Sequence, residues 1–292
     1  MPGRILVTGA SGQLGHEVVE NLAQQGYEVI APTRQQMNFL VPGQVAEYAL
    51  AVRADRVVNC AAYTQVDKAE SEAGDAHTIN CESAGRLAAA VAEYGGRLLH
   101  VSTDFVFDGA SSEPYCEQDE TNPLSVYGRS KRDGERAVMD ALPGAVILRT
   151  AWVYGAHGNN FVKTMLRLAA ERDHLRVVSD QVGTPTWTRD IAHAISELIR
   201  HEASGVFHFT AAGQTSWHGF ATAILHEAGR LGFEVKAKTV EAIPTSEYPA
   251  PATRPAWSVL DTHKIQDSLS LSIPDWRDSL VSMLKELRTC AG

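Results

Sequence analysis

Apolar residues along the chain fall into two alternating rhythms. Short β-branched runs of the kind buried in a parallel sheet occur at 4–8, 27–31, 55–60, 97–102 and 145–149. Between them lie stretches with helical spacing. Leu14, Val18 and Leu22 recur every four residues until Gly26 closes the segment, an Ala-rich helix is expected over 75–94, and another over 125–142. Strand, glycine turn, helix and strand over 4–31 make a complete βαβ unit. Its continuation implies an α/β fold with a doubly wound parallel sheet covered on both faces.

Beyond Thr150 the pattern loosens. A helix is expected over 160–172, a strand over 176–179, a helix over 189–201 and a strand over 206–210 that returns to the main sheet. The remainder, 216–290, is mixed and carries a Pro-rich loop at 244–255. The expected division is a dinucleotide-binding domain over 1–150 with a return segment near 186–212. A smaller mixed α/β substrate-binding lobe is expected from 151–185 and 213–292. No repeat and no low-complexity linker interrupts this plan.

Composition narrows the picture. A chain of 292 residues can bury a large core, and 44% hydrophobic with 21% charged residues is ordinary for a globular protein. A formal charge of −9 without a basic run argues against nucleic acid as a partner. It leaves anionic small molecules open, because a few placed donors hold a diphosphate on an acidic protein. Cys60, Cys81, Cys116 and Cys290 show no CxxC spacing, a strand-like run already begins at Arg4, and no apolar stretch nears the roughly 20 residues that span a bilayer. Reduced thiols, no membrane partner and a cytoplasmic location are the expectation.

Three motifs carry chemistry. Gly9, Gly12 and Gly15 follow a strand and open a helix, where they permit a tight turn, close approach of backbone to a pyrophosphate, and close packing of helix on strand. The acidic residue expected after the second strand is missing. Ile30-Ala-Pro-Thr-Arg34 stands there, and Arg34 can accept a 2′-phosphate, which favours NADPH, with NADH the other cofactor the pattern admits. Tyr127-Gly-Arg-Ser-Lys131 places a phenol and an ammonium on one helical face, and the ammonium is expected to lower the phenol's pKa. Ser102-Thr103-Asp104 puts hydroxyls at the carboxyl end of a strand, where α/β folds bind ligands.

These motifs, with Asn59-Cys-Ala-Ala-Tyr-Thr-Gln-Val-Asp-Lys-Ala-Glu70, Ser102-Thr-Asp-Phe-Val-Phe-Asp-Gly109, Asn122-Pro-Leu-Ser-Val-Tyr-Gly128, Arg149-Thr-Ala-Trp-Val-Tyr154, Asn159-Asn-Phe161, Asp180-Gln-Val-Gly-Thr-Pro-Thr186 and Arg254-Pro255, resemble the extended short-chain dehydrogenase/reductases. Within them the chain is most similar to the dTDP-4-dehydrorhamnose reductase family. The resemblance implies a Rossmann-type fold and reduction of the C4 keto group of dTDP-4-dehydro-L-rhamnose to dTDP-L-rhamnose. It implies Tyr127 as proton donor, Lys131 as its partner and a ribose ligand, and Thr103 as the hydroxyl that orients the keto oxygen. Gly9, Gly12, Gln13, Leu14, Gly15, Arg34, Asn38, Phe39, Ala61, Ala62, Tyr63 and Thr64 would line the cofactor with Tyr127 and Lys131. Thr103, Asp104, Phe105 and Trp152 would meet the sugar nucleotide.

Departures from the family pattern qualify this. Pro32 or Thr33 stands where an acidic residue is frequent, Asn38 replaces an Asp, and Phe105 replaces a Tyr. Some members dimerise through a metal held by glutamates. Glu17 matches one of these, whereas Arg189-Asp190 and Ala291-Gly292 do not clearly supply the others, so no metal is expected. A monomer and a homodimer both stay open. The eleven histidines lack ligand spacing and read as core or surface residues, Trp187, Trp217, Trp257 and Trp276 as apolar packing, and Asp67–Glu72 as a solvated helix start. Competing readings are a reductase for a different dTDP-4-keto-6-deoxysugar, an epimerase or dehydratase, and a non-catalytic NADP-binding regulatory subunit. The intact Thr103, Tyr127 and Lys131 weigh against the last, and Phe105 after Asp104 against a dehydratase.

Overall fold

A computed structural model describes residues 3–290. Six parallel strands form the central sheet: β1 (Arg4–Thr8), β2 (Glu28–Ile30), β3 (Arg56–Asn59), β4 (Arg97–Thr103), β5 (Val146–Thr150) and β6 (Gly205–His208). Their spatial order is β2-β1-β3-β4-β5-β6. The order reverses between β1 and β3, and the carboxyl ends of these two strands frame the crevice where such sheets bind ligands.

Successive strand residues point to opposite faces, and both faces are buried. Ile5, Val7, Val58, Leu99, Leu148 and Phe207 pack under the helices Gln13–Gln24, Thr188–Arg200 and His263–Leu269. Leu6, Val57, Leu98 and Ile147 pack under Pro42–Val52, Ser83–Glu93 and Val126–Ala141. The return segment adds β6 beside β5, in register from Gly205 opposite Val146 to His208 opposite Arg149.

Two elements differ from expectation. The helix Pro42–Val52 was not legible, because it buries only Val45 and Ala49 and its pattern is too sparse to read as periodic. The expected helix 75–94 is interrupted: Ala73–His77 and Ser83–Glu93 are joined by a π-helical turn, Thr78–Glu82. Such turns insert a residue into the helical ladder and re-aim a side chain, here the buried Asn80.

A second apolar cluster lies beyond the sheet. Val162 and Met165 of Phe161–Glu171, Phe220 and Ile224 of Trp217–Arg230, and Trp276 and Leu280 of Trp276–Cys290 pack around Tyr154 and Trp187. Paired short strands brace it: Val153–Tyr154 with Thr186–Trp187, Val182–Gly183 with Thr215–Ser216, and His174–Val178 with Thr239–Ile243. Within 216–290 the His263–Leu269 helix instead contributes Ile265 and Leu269 to the main core. No helix among the described residues is long and apolar enough to cross a membrane.

Candidate active site

The glycine turn sits at the switch point. Gly9 has φ +68°, and a Cβ there would stand 2.7 Å from the Ala61 amide nitrogen, so only glycine lets β1 close against the end of β3. At Gly15 a Cβ would lie 2.2 Å from the Gly9 carbonyl oxygen, which is the cost of seating the helix directly on the turn. Gly12 differs, because a Cβ there meets only the Gly9 oxygen, at 3.2 Å. The Gln13–Gln24 helix begins there with no side-chain cap, leaving amide N–H groups and the positive end of the dipole for an anion. Gln13 also reaches the second cluster, with Asn160 Nδ2 donating to its Oε1 at 3.3 Å.

Across the crevice, β4 ends at Thr103 and turns at once through Asp104–Val106. The Thr103 hydroxyl accepts the Phe105 N–H at 3.2 Å and donates to Asp104 Oδ1 at 3.0 Å. Asp104 is buried, and burial pushes its carboxyl up to about 6 against the pull of the Ser258 and Thr103 hydroxyls.

The Val126–Ala141 helix carries the other two groups. Ser125 caps it by accepting the Gly128 N–H at 3.1 Å, and Glu70 Oε1 accepts the Val126 N–H at 2.8 Å. Tyr127 and Lys131 lie one turn apart on its buried face. The expected charge effect of Lys131 on Tyr127 is not what this structure displays. Burial pushes the Tyr127 phenol up to about 12, Asp104 adds to the rise, and only a hydrogen bond with Thr103 opposes it. The Lys131 ammonium is turned elsewhere, donating to the Val101 carbonyl at 2.7 Å, and burial brings its own pKa down to about 8.

Every residue singled out from the sequence as a cofactor or substrate contact lines one cleft of about 820 Å³, from Gly9 and Arg34 at one end to Trp152 at the other. Arg34 is exposed at the rim. Asn38 shapes its loop, its Oδ1 accepting the Leu40 N–H at 3.0 Å, while Phe39 is largely core. At the far end Trp152 adopts a left-handed φ of +45°, unusual for a large residue, and stacks on Trp217 with ring centroids 3.6 Å apart. Trp217 thus belongs to the cleft as well as to the apolar cluster. Within the cleft the buried Ser102 Oγ and Thr150 Oγ1 have no hydrogen-bond partner among the described residues. Orphaned polar atoms at strand ends, with uncapped amides at the glycine turn, fit a dinucleotide and a polar substrate.

Several contributors were invisible in the sequence. Asn80 Oδ1 accepts the Tyr63 N–H at 2.8 Å, and its Nδ2 donates to the Tyr63 carbonyl at 3.1 Å and to Ser130 Oγ at 2.9 Å. It ties the 61–64 loop to the Val126–Ala141 helix. His100 lies beneath Lys131, its Nε2 3.3 Å from Nζ. The acidic run is more than a solvated helix start: Asp67 pairs with Arg254 at 2.7 Å, Glu70 anchors Val126, and Glu72 accepts the Tyr63 hydroxyl at 2.5 Å. Glu17 is buried beside Arg189, at 3.5 Å, and Arg189 also pairs with Glu286 at 2.8 Å. Ala291 and Gly292 lie outside the described residues.

The family model described as "RmlD substrate binding domain" matches residues 3–289. A dTDP-4-dehydrorhamnose reductase from Burkholderia thailandensis is 44% identical, over 97% of this chain and 99% of that protein. The crystal structure of a dTDP-4-dehydrorhamnose reductase from Clostridium acetobutylicum is 40% identical with a TM-score of 0.92, covering 98% of this chain and 99% of that one. That of the Bacillus anthracis dTDP-4-dehydrorhamnose reductase, in complex with NADP, is 36% identical with a TM-score of 0.93, covering 98% of this chain and all of that one. Matched along nearly its whole length, the chain belongs to the dTDP-4-dehydrorhamnose reductase family.

Proposed function

We propose that the protein reduces the C4 keto group of dTDP-4-dehydro-L-rhamnose to give dTDP-L-rhamnose, using NADPH. The observation that carries this is convergence: Thr103, Tyr127 and Lys131 meet at the carboxyl end of β4 in the same cleft as the uncapped glycine turn. NADPH bound along that cleft supplies the hydride. The residues that would hold it are the amides after Gly12, the 61–64 loop, Lys131 towards the ribose, and Arg34 towards a 2′-phosphate. The Bacillus anthracis relative holding NADP supports this choice of cofactor.

Thr103 orients the keto oxygen by turning its one hydroxyl proton from Asp104 Oδ1 to it, and Tyr127 supplies the proton that the nascent alkoxide takes up. A phenol raised to about 12 stays protonated at neutral pH, which suits a donor to a nascent alkoxide, whose own proton affinity is higher still. The sheet domain takes the cofactor and the cluster around Tyr154 and Trp187 shapes the sugar-nucleotide end, with Asp104, Phe105 and Trp152 against the substrate. Trp152, held by Trp217, offers an aromatic face of the kind that packs on a sugar or base.

The test is NADPH and NADH consumption with a panel of dTDP-4-keto-6-deoxysugars. Turnover of the rhamnose precursor with NADPH preferred is expected. Turnover confined to another sugar overturns the substrate, and cofactor binding without turnover of any sugar overturns the enzyme reading.

A further inference from the structure

Beneath Lys131 a line of polar side chains crosses the sheet. Asn59, buried at the end of β3, accepts the Thr8 hydroxyl at 2.6 Å and the Ala61 N–H at 3.2 Å, both on Oδ1. A backbone N–H can only donate, so the Ala61 contact fixes which end of the Asn59 amide is oxygen. Its Nδ2 then faces His100 Nδ1 at 2.9 Å. An amide NH₂ can only donate as well, so Nδ1 is an acceptor and carries no proton. His100 is wholly buried, and burial, with the Lys131 charge beside it, holds its pKa well below the usual histidine value. A neutral ring with a bare Nδ1 carries its proton on Nε2, the atom 3.3 Å from Lys131 Nζ. An ammonium at Nζ meets a second donor there, whereas a free amine meets a partner for its lone pair. The bond from Nζ to the Val101 carbonyl, 2.7 Å, can be made in either state.

We propose that His100, locked as its Nε2–H tautomer by Asn59 and Thr8, is a positioning residue that presents a hydrogen-bond donor to Lys131 and so favours its unprotonated amine. The consequence is a lysine ready to release a proton in the middle of a buried site. One proton leaves Nζ for solvent in the cleft, and the lone pair left behind accepts Nε2–H. This rests on the reading that Lys131 and Tyr127 work together in reduction. The other groups acting on Lys131 are few. Glu135, one turn along the helix, opposes proton release, but its carboxylate is held by Arg149 of β5 at 2.7 Å. The Cys60 thiol beyond β3 is pushed up to about 12 by burial and stays uncharged, as does Tyr127 one turn back.

Two measurements test the proposal. In protein carrying nitrogen-15 histidine, two-bond nitrogen–proton correlations report the His100 tautomer without ligand or turnover. A neutral Nε2–H ring is expected, and an Nδ1–H signal overturns the proposal. The second uses Asn59→Asp, whose carboxylate still accepts from Thr8 and Ala61 but also accepts from Nδ1–H, so the ring reverses and Nε2 accepts from the Lys131 ammonium. The alkaline limb of the kcat profile is then expected to move up by at least about one pH unit, with KM for NADPH little changed. Reversal without that movement, or movement without reversal, overturns the proposal. If the wild-type ring is Nε2–H and no keto sugar is reduced, the reductase reading falls while the tautomer assignment stands.

Discussion

Replacing Asn80 with alanine removes a side chain that is 1% exposed and makes three hydrogen bonds, two to the backbone of Tyr63 and one to Ser130. Bonds of this kind contribute about 1 kcal/mol each, and a buried N–H left without a partner costs a further ~1–3 kcal/mol. The Tyr63 N–H is such a group, since alanine offers it nothing and the loop is packed against the π-helical turn. The combined loss is about 4–6 kcal/mol. At roughly 2 °C per kcal/mol for a chain of this size, Tm should fall by about 8–12 °C. Differential scanning calorimetry at a fixed scan rate measures this, alongside NADPH binding by fluorescence, which should weaken because the freed 61–64 loop lines the cleft. Ser130→Ala should cost only about 1 kcal/mol, and the double variant should lose less than the two singles together, because they share one bond. A Tm within about 2 °C of wild type for Asn80→Ala, or full additivity with Ser130→Ala, would refute the view that Asn80 clamps the loop to the catalytic helix.

Tyr127→Phe should lower kcat by about 10²–10⁴-fold while leaving NADPH affinity intact, as measured by steady-state kinetics beside equilibrium binding. Gly15→Ala places a methyl 2.2 Å from a backbone oxygen and should lower Tm and abolish NADPH binding together, whereas Gly12→Ala should melt close to wild type and lose only the binding. Asp104 has a folded pKa raised to about 6 against 3.8 for the free group, so the folded state is penalised once the unfolded carboxyl ionises. Its contribution is intact below about pH 4 and is lost as pH rises through about 6. Asp104→Asn should therefore be more stable than wild type above pH 6, by up to about 3 kcal/mol, and no more stable near pH 4, as urea titrations at the two pH values would show.

The residues that meet in the cleft are legible in the chain where the relevant spacing is short. Gly9, Gly12 and Gly15 encode one turn, Tyr127 and Lys131 one helical face, and Thr103 the end of one strand, so local periodicity was enough to place them. The parallel sheet followed from the same alternation. What stayed hidden depends on contacts between distant segments. His100 reads as one more residue of a buried strand until β3 and the Val126–Ala141 helix are brought against it. Asn80 sits in a stretch that scans as an unbroken helix, and the π-helical turn that aims it leaves no periodic trace. Trp217 scanned as packing because its partner, Trp152, lies 65 residues away, and Asp67 as solvated because Arg254 lies 187 residues away. The Tyr127 pKa departs from the sequence expectation for a related reason: proximity along the helix is legible, but the Val101 carbonyl that draws the Lys131 ammonium aside and the burial that raises the phenol are not.

The most direct test of the central reading follows the hydride itself. The protein is incubated with dTDP-4-dehydro-L-rhamnose and NADPH deuterated at the transferable position of the nicotinamide, and the sugar nucleotide is examined by proton and deuterium NMR. The account predicts dTDP-L-rhamnose with one deuterium at C4 and none elsewhere, and with Tyr127→Phe the same labelled product formed far more slowly. Product without deuterium, deuterium at another carbon, or unchanged substrate beside bound cofactor would contradict it.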